Sequence, residues 1–109
     1  MKKEINLFDY AADIYKALPR GILLVSEAED CVNAMTIGWA TFGIEWGVPI
    51  FAVYVRESRF TGELIDRTGE FTVCAPYGEN DSKKIAKALA ICGSKSGRDV
   101  DKIAQAGLT

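Results

Sequence analysis

Within six residues the chain presents Arg56, Ser58, Arg59 and Thr61, two guanidinium groups and two hydroxyls. Ser58 has the side chain of a helix N-cap, and the spacing predicts a helix over Arg59 to Thr68 with Leu64 and Ile65 inward and Gly69 at its end. A helix start of this kind offers free backbone N–H groups, hydroxyl donors and positive charge together, which suits a phosphate. A capped helix carrying solvated arginines has the same sequence, so both readings stand at this level. A second basic loop, Ser94-Lys95-Ser96-Gly97-Arg98, could also serve an anion. It lacks the complete glycine-rich phosphate signature, and a plain linker between helices accounts for it equally well.

Other chemistry is restricted by what the chain omits. It contains no histidine, which removes the usual general base, the Ser-His and Cys-His nucleophile pairs and the commonest metal ligand. Catalysis would have to lean on a cofactor or on carboxylates. Cys31, Cys74 and Cys92 form no CxxC pair, are odd in number, and read as small core residues in a reducing, cytoplasmic compartment. With 13 basic and 15 acidic residues interspersed, the chain shows no extended basic face, so no nucleic acid is expected as a partner. The uncharged run Cys31–Ile44 is shorter than the roughly 20 residues that span a bilayer, so no membrane partner is expected. Asp9 and Asp13 break up any apolar run after Lys2 and Lys3, so no signal peptide is expected.

The elements that would hold the arginine cluster follow from periodicity. Leu7, Ala11, Ile14 and Leu18 form the stripe of an amphipathic helix over Asn6 to Leu18, flanked by Phe8 and Tyr15 and stopped by Pro19. The aromatic residues fit core packing better than a cofactor wall. Gly21 to Ser26 reads as a strand buried on both faces, and Glu27 to Asp30 as a turn. The next strand sets Asn33, Met35, Ile37 and Trp39 on one face against Val32, Ala34, Thr36, Gly38 and Ala40 on the other. The second face is small enough for a flat group or another backbone to approach closely. Thr41 to Trp46 fits either a strand continuation or a loop, Gly47-Val48-Pro49 a turn, and Ile50 to Val55 a central strand. Beyond the arginine cluster the pattern predicts a strand at Glu70 to Pro76 and a turn at Tyr77 to Asn80. A helix capped by Asp81 or Ser82 follows, with Ile85, Leu89 and Cys92 buried and Gly93 at its end, and then a short helix from Asp99 to Ala106. The expected fold is a single domain over residues 1–109, mainly β with helices, an antiparallel barrel with helices outside. Four strands are few for closure, and so small a core favours association with a second copy.

Five segments together resemble the flavin reductase-like proteins, especially the flavoredoxin branch: Asn33 to Trp39, Gly47 to Pro49, Val55 to Thr61, Gly69 to Val73 and Ser96 to Lys102. The resemblance covers about residues 15 to 109 and implies an FMN-binding split β-barrel that dimerises with FMN at the subunit interface. It implies that Met35, Thr36, Ile37, Gly38 and Trp39 line the isoalloxazine ring, with backbone groups of Thr36, Ile37 and Gly38 near its polar edge. Arg56, Ser58, Arg59 and Thr61 would hold ribityl and phosphate, and the loop of Ser96, Gly97 and Arg98 would lie near the flavin or the nicotinamide donor. The activity implied is hydride transfer from NADH or NADPH onto flavin, with electrons passed to an acceptor, which can be a protein. Members of the family continue beyond the position of Thr109 with further strands. The chain is therefore expected to be a C-terminally truncated domain, for which the alternative role is a non-catalytic remnant that oligomerises or binds a partner.

Overall fold

The computed structural model describes residues 3–76 and 82–108. The chain runs α1 (Leu7–Ala17), β1 (Ile22–Ala28), β2 (Cys31–Ile37), β3 (Ala40–Glu45), β4 (Val48–Val53), α2 (Phe60–Thr68), β5 (Thr72–Cys74), α3 (Ser82–Ser94) and α4 (Lys102–Gln105). β1 lies at the centre of an antiparallel sheet of order β2-β1-β5, and β3 pairs with β4 in a separate antiparallel ladder. The described strands therefore form two sheets and not one closed ring.

β1 alternates more than its uniformly apolar sequence predicts. Ile22, Leu24, Ser26 and Ala28 are buried, whereas Leu23 and Val25 are half-buried, because one face meets the main core and the other a thinner layer of helix. The expected turn at Glu27 to Asp30 contracts to Glu29 and Asp30, with Glu29 at φ 57°. On β2, Met35 and Ile37 join Leu18, Ile22 and Leu24 in the main core. On the opposite face Ala34 packs with Ala88, Cys92 and Ala106 of α3 and its C-terminal neighbour. Thr36 donates its hydroxyl hydrogen to the Leu89 carbonyl at 2.6 Å. The small residues of β2 thus admit a helix. Ile22, Leu24 and Leu64 are fully buried, each contributing about 1.5–3 kcal/mol relative to exposure.

The ambiguous segment before Gly47 is strand β3. Its turn into β4 uses Trp46 at φ 53° and Gly47 at φ 75°, the paired positive angles of a two-residue hairpin turn whose twist matches its strands. The expected turn at Gly47-Val48-Pro49 therefore shifts by one residue, and Pro49 falls inside β4 opposite Ile44. That placement is compatible with proline because β4 pairs on one side alone, which corrects the expectation of a central strand at Ile50 to Val55.

Other differences have simple causes. α1 has no buried residue, and Phe8 and Tyr15 are exposed, so the aromatic residues beside its stripe are not core. Phe71 and Cys74 are exposed because β5 is a three-residue edge strand, so the core assignment of the cysteines holds for buried Cys92 and fails for Cys74. α3 runs past Gly93 to Ser94. The final helix begins at Lys102 and not at Asp99, since the Asp101 carboxylate caps it by accepting from the Ala104 N–H at 3.1 Å. The expected turn at Tyr77 to Asn80 and the cap at Asp81 or Ser82 lie outside the described residues. No described helix is long and apolar enough to cross a membrane.

Candidate functional site

The chain leaves β4 and turns at once. The Arg59 N–H donates to the Arg56 carbonyl at 3.0 Å, closing a four-residue turn with Glu57 and Ser58 at its tip. Arg59, in extended conformation, is the N-cap of α2, and no side chain caps the helix. This corrects the expectation that Ser58 caps it. The first turn of α2 lies at the positive end of the helix dipole, with the Gly62 N–H donating to the Arg59 carbonyl at 3.1 Å. Arg56, Ser58 and Arg59 are all exposed at this helix start. Arg98 forms an ion pair with Glu63, whereas neither Arg56 nor Arg59 pairs with a carboxylate among the described residues.

Thr61 is placed differently from its neighbours. It is 0% exposed, and its hydroxyl oxygen accepts from the side-chain amide of buried Asn33 at 2.8 Å. Its side chain fastens α2 to β2 and faces away from solvent. At the other end of the helix Gly69 adopts φ 70° and donates its N–H to the Ile65 carbonyl, the left-handed stop that its sequence predicts.

The loop before α4 lies against the same helix start. Ser96 forms a turn in which its carbonyl accepts from the Asp99 and Val100 N–H groups, and its hydroxyl accepts from the Arg98 N–H at 3.2 Å. Gly97 sits where no side chain fits. A Cβ there would fall inside contact distance of Asn33 Oδ1 and 2.7 Å from Phe60 Cδ2. Arg98 donates to the Ser58 carbonyl at 3.0 Å, pairs with the Glu63 carboxylate, and stands 5.6 Å from the centre of the Phe60 ring. The fold thus unites the two basic segments that sequence reading weighed separately.

The segment Met35 to Trp39 contributes less side-chain surface than its sequence suggests. Met35 and Ile37 are buried in the core and Thr36 is engaged with α3, while Gly38 is exposed and Trp39 is 72% exposed. β2 is an edge strand, however, so its outer row of backbone N–H and C=O groups pairs with no other described strand. Asn33 touches α2 while Trp39 lies six residues on, up to about 20 Å along extended chain. The two halves of the candidate site therefore lie at one part of β2 and just past its end, and not in one compact cluster.

Lys102 is a buried residue that pattern reading missed. Its ammonium donates to the carbonyls of Ala34 and Cys92, both at 3.0 Å, tying α4 to β2 and to the last turn of α3. Burial pushes this lysine below its ordinary range, the neighbouring Cys92 opposes that shift, and the charge of Arg59 adds to it. Burial likewise pushes the Cys92 thiol up, against the pull of Lys102. The available signal was the position of Lys102 directly after a capping aspartate, where its stem turns inward. An apolar cleft of about 590 Å³ lies elsewhere, between α1 and the β3–β4 ladder, lined among others by Ile14, Phe42, Phe51 and Val73. It is lined by none of the residues from Met35 to Trp39, from Arg56 to Thr61 or from Ser96 to Arg98, and bears no polar cluster suited to an anion.

Residues 15–109 match the family model described as flavin reductase like domain. In the solved structures, the fold resembles the FMN-binding domain of a flavin reductases-like enzyme from Shewanella baltica OS155, with a TM-score of 0.71 at 21% sequence identity. That alignment covers 94% of this chain and 50% of the other, so the chain spans about half the length of the solved relative. No curated protein matches the chain.

Proposed function

The chain belongs to the flavin reductase like domain family, and we propose on that premise that it binds FMN, with the phosphate at the start of α2. The observation that carries this reading is the exposed set of Arg56, Ser58 and Arg59 at the positive N-terminal end of α2, with neither arginine in an ion pair among the described residues. The donor set fits the group. A phosphate needs several N–H and O–H donors and compensating charge, and this turn supplies both without first breaking an ion pair.

In this reading Arg56 and Arg59 neutralise the phosphate, the Ser58 hydroxyl donates to it, and the buried Thr61–Asn33 bond keeps the helix start in register with β2. The outer edge at the end of β2, with the backbone of Thr36, Ile37 and the following Gly38, serves the polar rim of the ring system, and Trp39 offers an apolar wall beside it. Met35 and Ile37 act by anchoring that edge in the core. The bound flavin would supply the redox chemistry, taking hydride from NADH or NADPH and delivering electrons to an acceptor, which includes a protein. The chain has no histidine, so its own part is position and electrostatics. A cytoplasmic setting accords with three free cysteines.

A second reading has its own observation. Trp46 is 95% exposed, and Ile44, Val48 and Ile50 are exposed on the same hairpin, a surface suited to a second copy or another partner. This supports a homodimer under the first reading and a non-catalytic binding module under the second. Titration with FMN followed by steady-state NADH and NADPH oxidation separates them. The flavoprotein reading expects quenched flavin fluorescence and flavin-dependent turnover. A folded dimer indifferent to both FMN and nicotinamide favours the module.

A further inference from the structure

We propose that Arg98 is a positioning residue whose guanidinium clasps the Arg56–Arg59 turn and so presets the phosphate-binding start of α2, without itself contacting the phosphate. This rests on the FMN reading above for its functional consequence, while the clasp is a property of the protein alone. Four contacts carry it. One guanidinium nitrogen donates to the Ser58 carbonyl at 3.0 Å, the other pairs with Glu63 on α2, the group stands 5.6 Å from the centre of the Phe60 ring, and Gly97 beside it is wedged between Asn33 and Phe60.

The geometry distinguishes a clasp from a ligand. Arg98 directs one terminal nitrogen to the carbonyl of residue 58 and the other to a carboxylate one helical turn further along. Its charge is already paired with Glu63, whereas Arg56 and Arg59 are exposed and form no ion pair among the described residues. A planar guanidinium can bridge the carbonyl and the carboxylate at once, and an ammonium is a single point charge without that fork. The Ser96 turn, closed by the Ser96 hydroxyl and carbonyl, aims Arg98 in this direction. Because α2 has no side-chain N-cap, the loop supplies the external support that its first turn otherwise lacks.

The test compares Arg98→Ala and Arg98→Lys with the unaltered chain by two readouts. Backbone hydrogen exchange without flavin follows the Arg59 and Gly62 amides, whose N–H groups close the turn and the first helical turn. FMN affinity is read by fluorescence quenching. Arg98 is exposed at 42% of its side-chain surface, so both variants should fold, which circular dichroism verifies. The clasp predicts faster exchange at both amides in both variants and FMN binding weakened about tenfold, the effect of one charge-assisted hydrogen bond. Unchanged exchange at both amides overturns the clasp, whatever happens to FMN. Weakened FMN binding in Arg98→Ala alone, with exchange unchanged and Arg98→Lys normal, would instead make Arg98 a direct charge ligand. If the unaltered chain does not bind FMN, the flavin reading fails, and the exchange data still decide whether Arg98 holds the turn.

Discussion

Replacing Thr61 by valine changes almost nothing but one hydrogen bond, and that bond joins the helix under the candidate phosphate site to the strand under the candidate ring site. Valine has the shape of threonine, and position 61 is fully buried, so no cavity forms. The Asn33 side-chain amide loses its acceptor in a place that water does not reach, since Asn33 is itself buried. An unsatisfied buried donor costs about 1–3 kcal/mol. Taking about 2 kcal/mol and a urea slope of about 2 kcal/mol per molar for a domain of this size, the midpoint should fall by about 1 M. The melting temperature should fall by about 10 °C. Asn33→Leu in the same chain removes the stranded donor, so the double variant should be more stable than the sum of the single losses predicts. Urea unfolding followed by tryptophan fluorescence and circular dichroism gives all three values. A Thr61→Val midpoint within about 0.2 M of the parent, or strictly additive losses in the double variant, would refute the assignment of this pair as the lock between α2 and β2.

Further outcomes follow from neighbouring residues. Arg56→Ala together with Arg59→Ala should weaken FMN by about a hundredfold or more, two charge-assisted contacts at about 1.5–3 kcal/mol each, while leaving unfolding by urea nearly unchanged, because both side chains are exposed. Gly69→Ala should lower stability by about 1 kcal/mol, since φ 70° is strained for alanine, and thermal melting reads it directly. Lys102 is held below its ordinary range, so the unfolded chain binds more protons near the lysine range and the Lys102 contribution to stability rises with pH toward about 10.4. Cys92 is pushed up, so the folded chain keeps a proton that the unfolded chain loses, and its contribution falls as pH rises above about 8.5. Urea midpoints across this window should therefore rise more steeply with pH in Cys92→Ala than in the parent, and the rise should vanish when Lys102→Met is added.

The fold was legible wherever one residue type has one conformational use. Pro19 ends α1, Gly69 ends α2, and the alternation around β2 assigns Met35 and Ile37 to one face and Ala34 and Thr36 to the other. The arginine cluster was legible as an anion site because its chemistry is local to six residues. The sequence pattern was blind to partners chosen by tertiary packing. Thr61 looked like one more hydroxyl donor until Asn33 appeared opposite it, 28 residues away in sequence. Ser58 has a capping side chain, yet Arg98, 40 residues on, binds its carbonyl and the helix starts one residue later than the cap predicts. The small face of β2 was open to a ring or a helix, and α3 occupies it. Trp46 at a positive φ displaced the expected turn because its partner strand, and not its own propensity, sets the hairpin register.

Titration of the purified chain into FMN, with riboflavin as the control lacking phosphate, tests the proposed site most directly. A phosphate seat at the start of α2 predicts quenched FMN fluorescence with a shifted visible spectrum, tighter binding of FMN than of riboflavin, and loss of that preference in the Arg56→Ala, Arg59→Ala variant. An FMN spectrum and fluorescence unaltered by excess protein, or equal affinity for FMN and riboflavin, would contradict it.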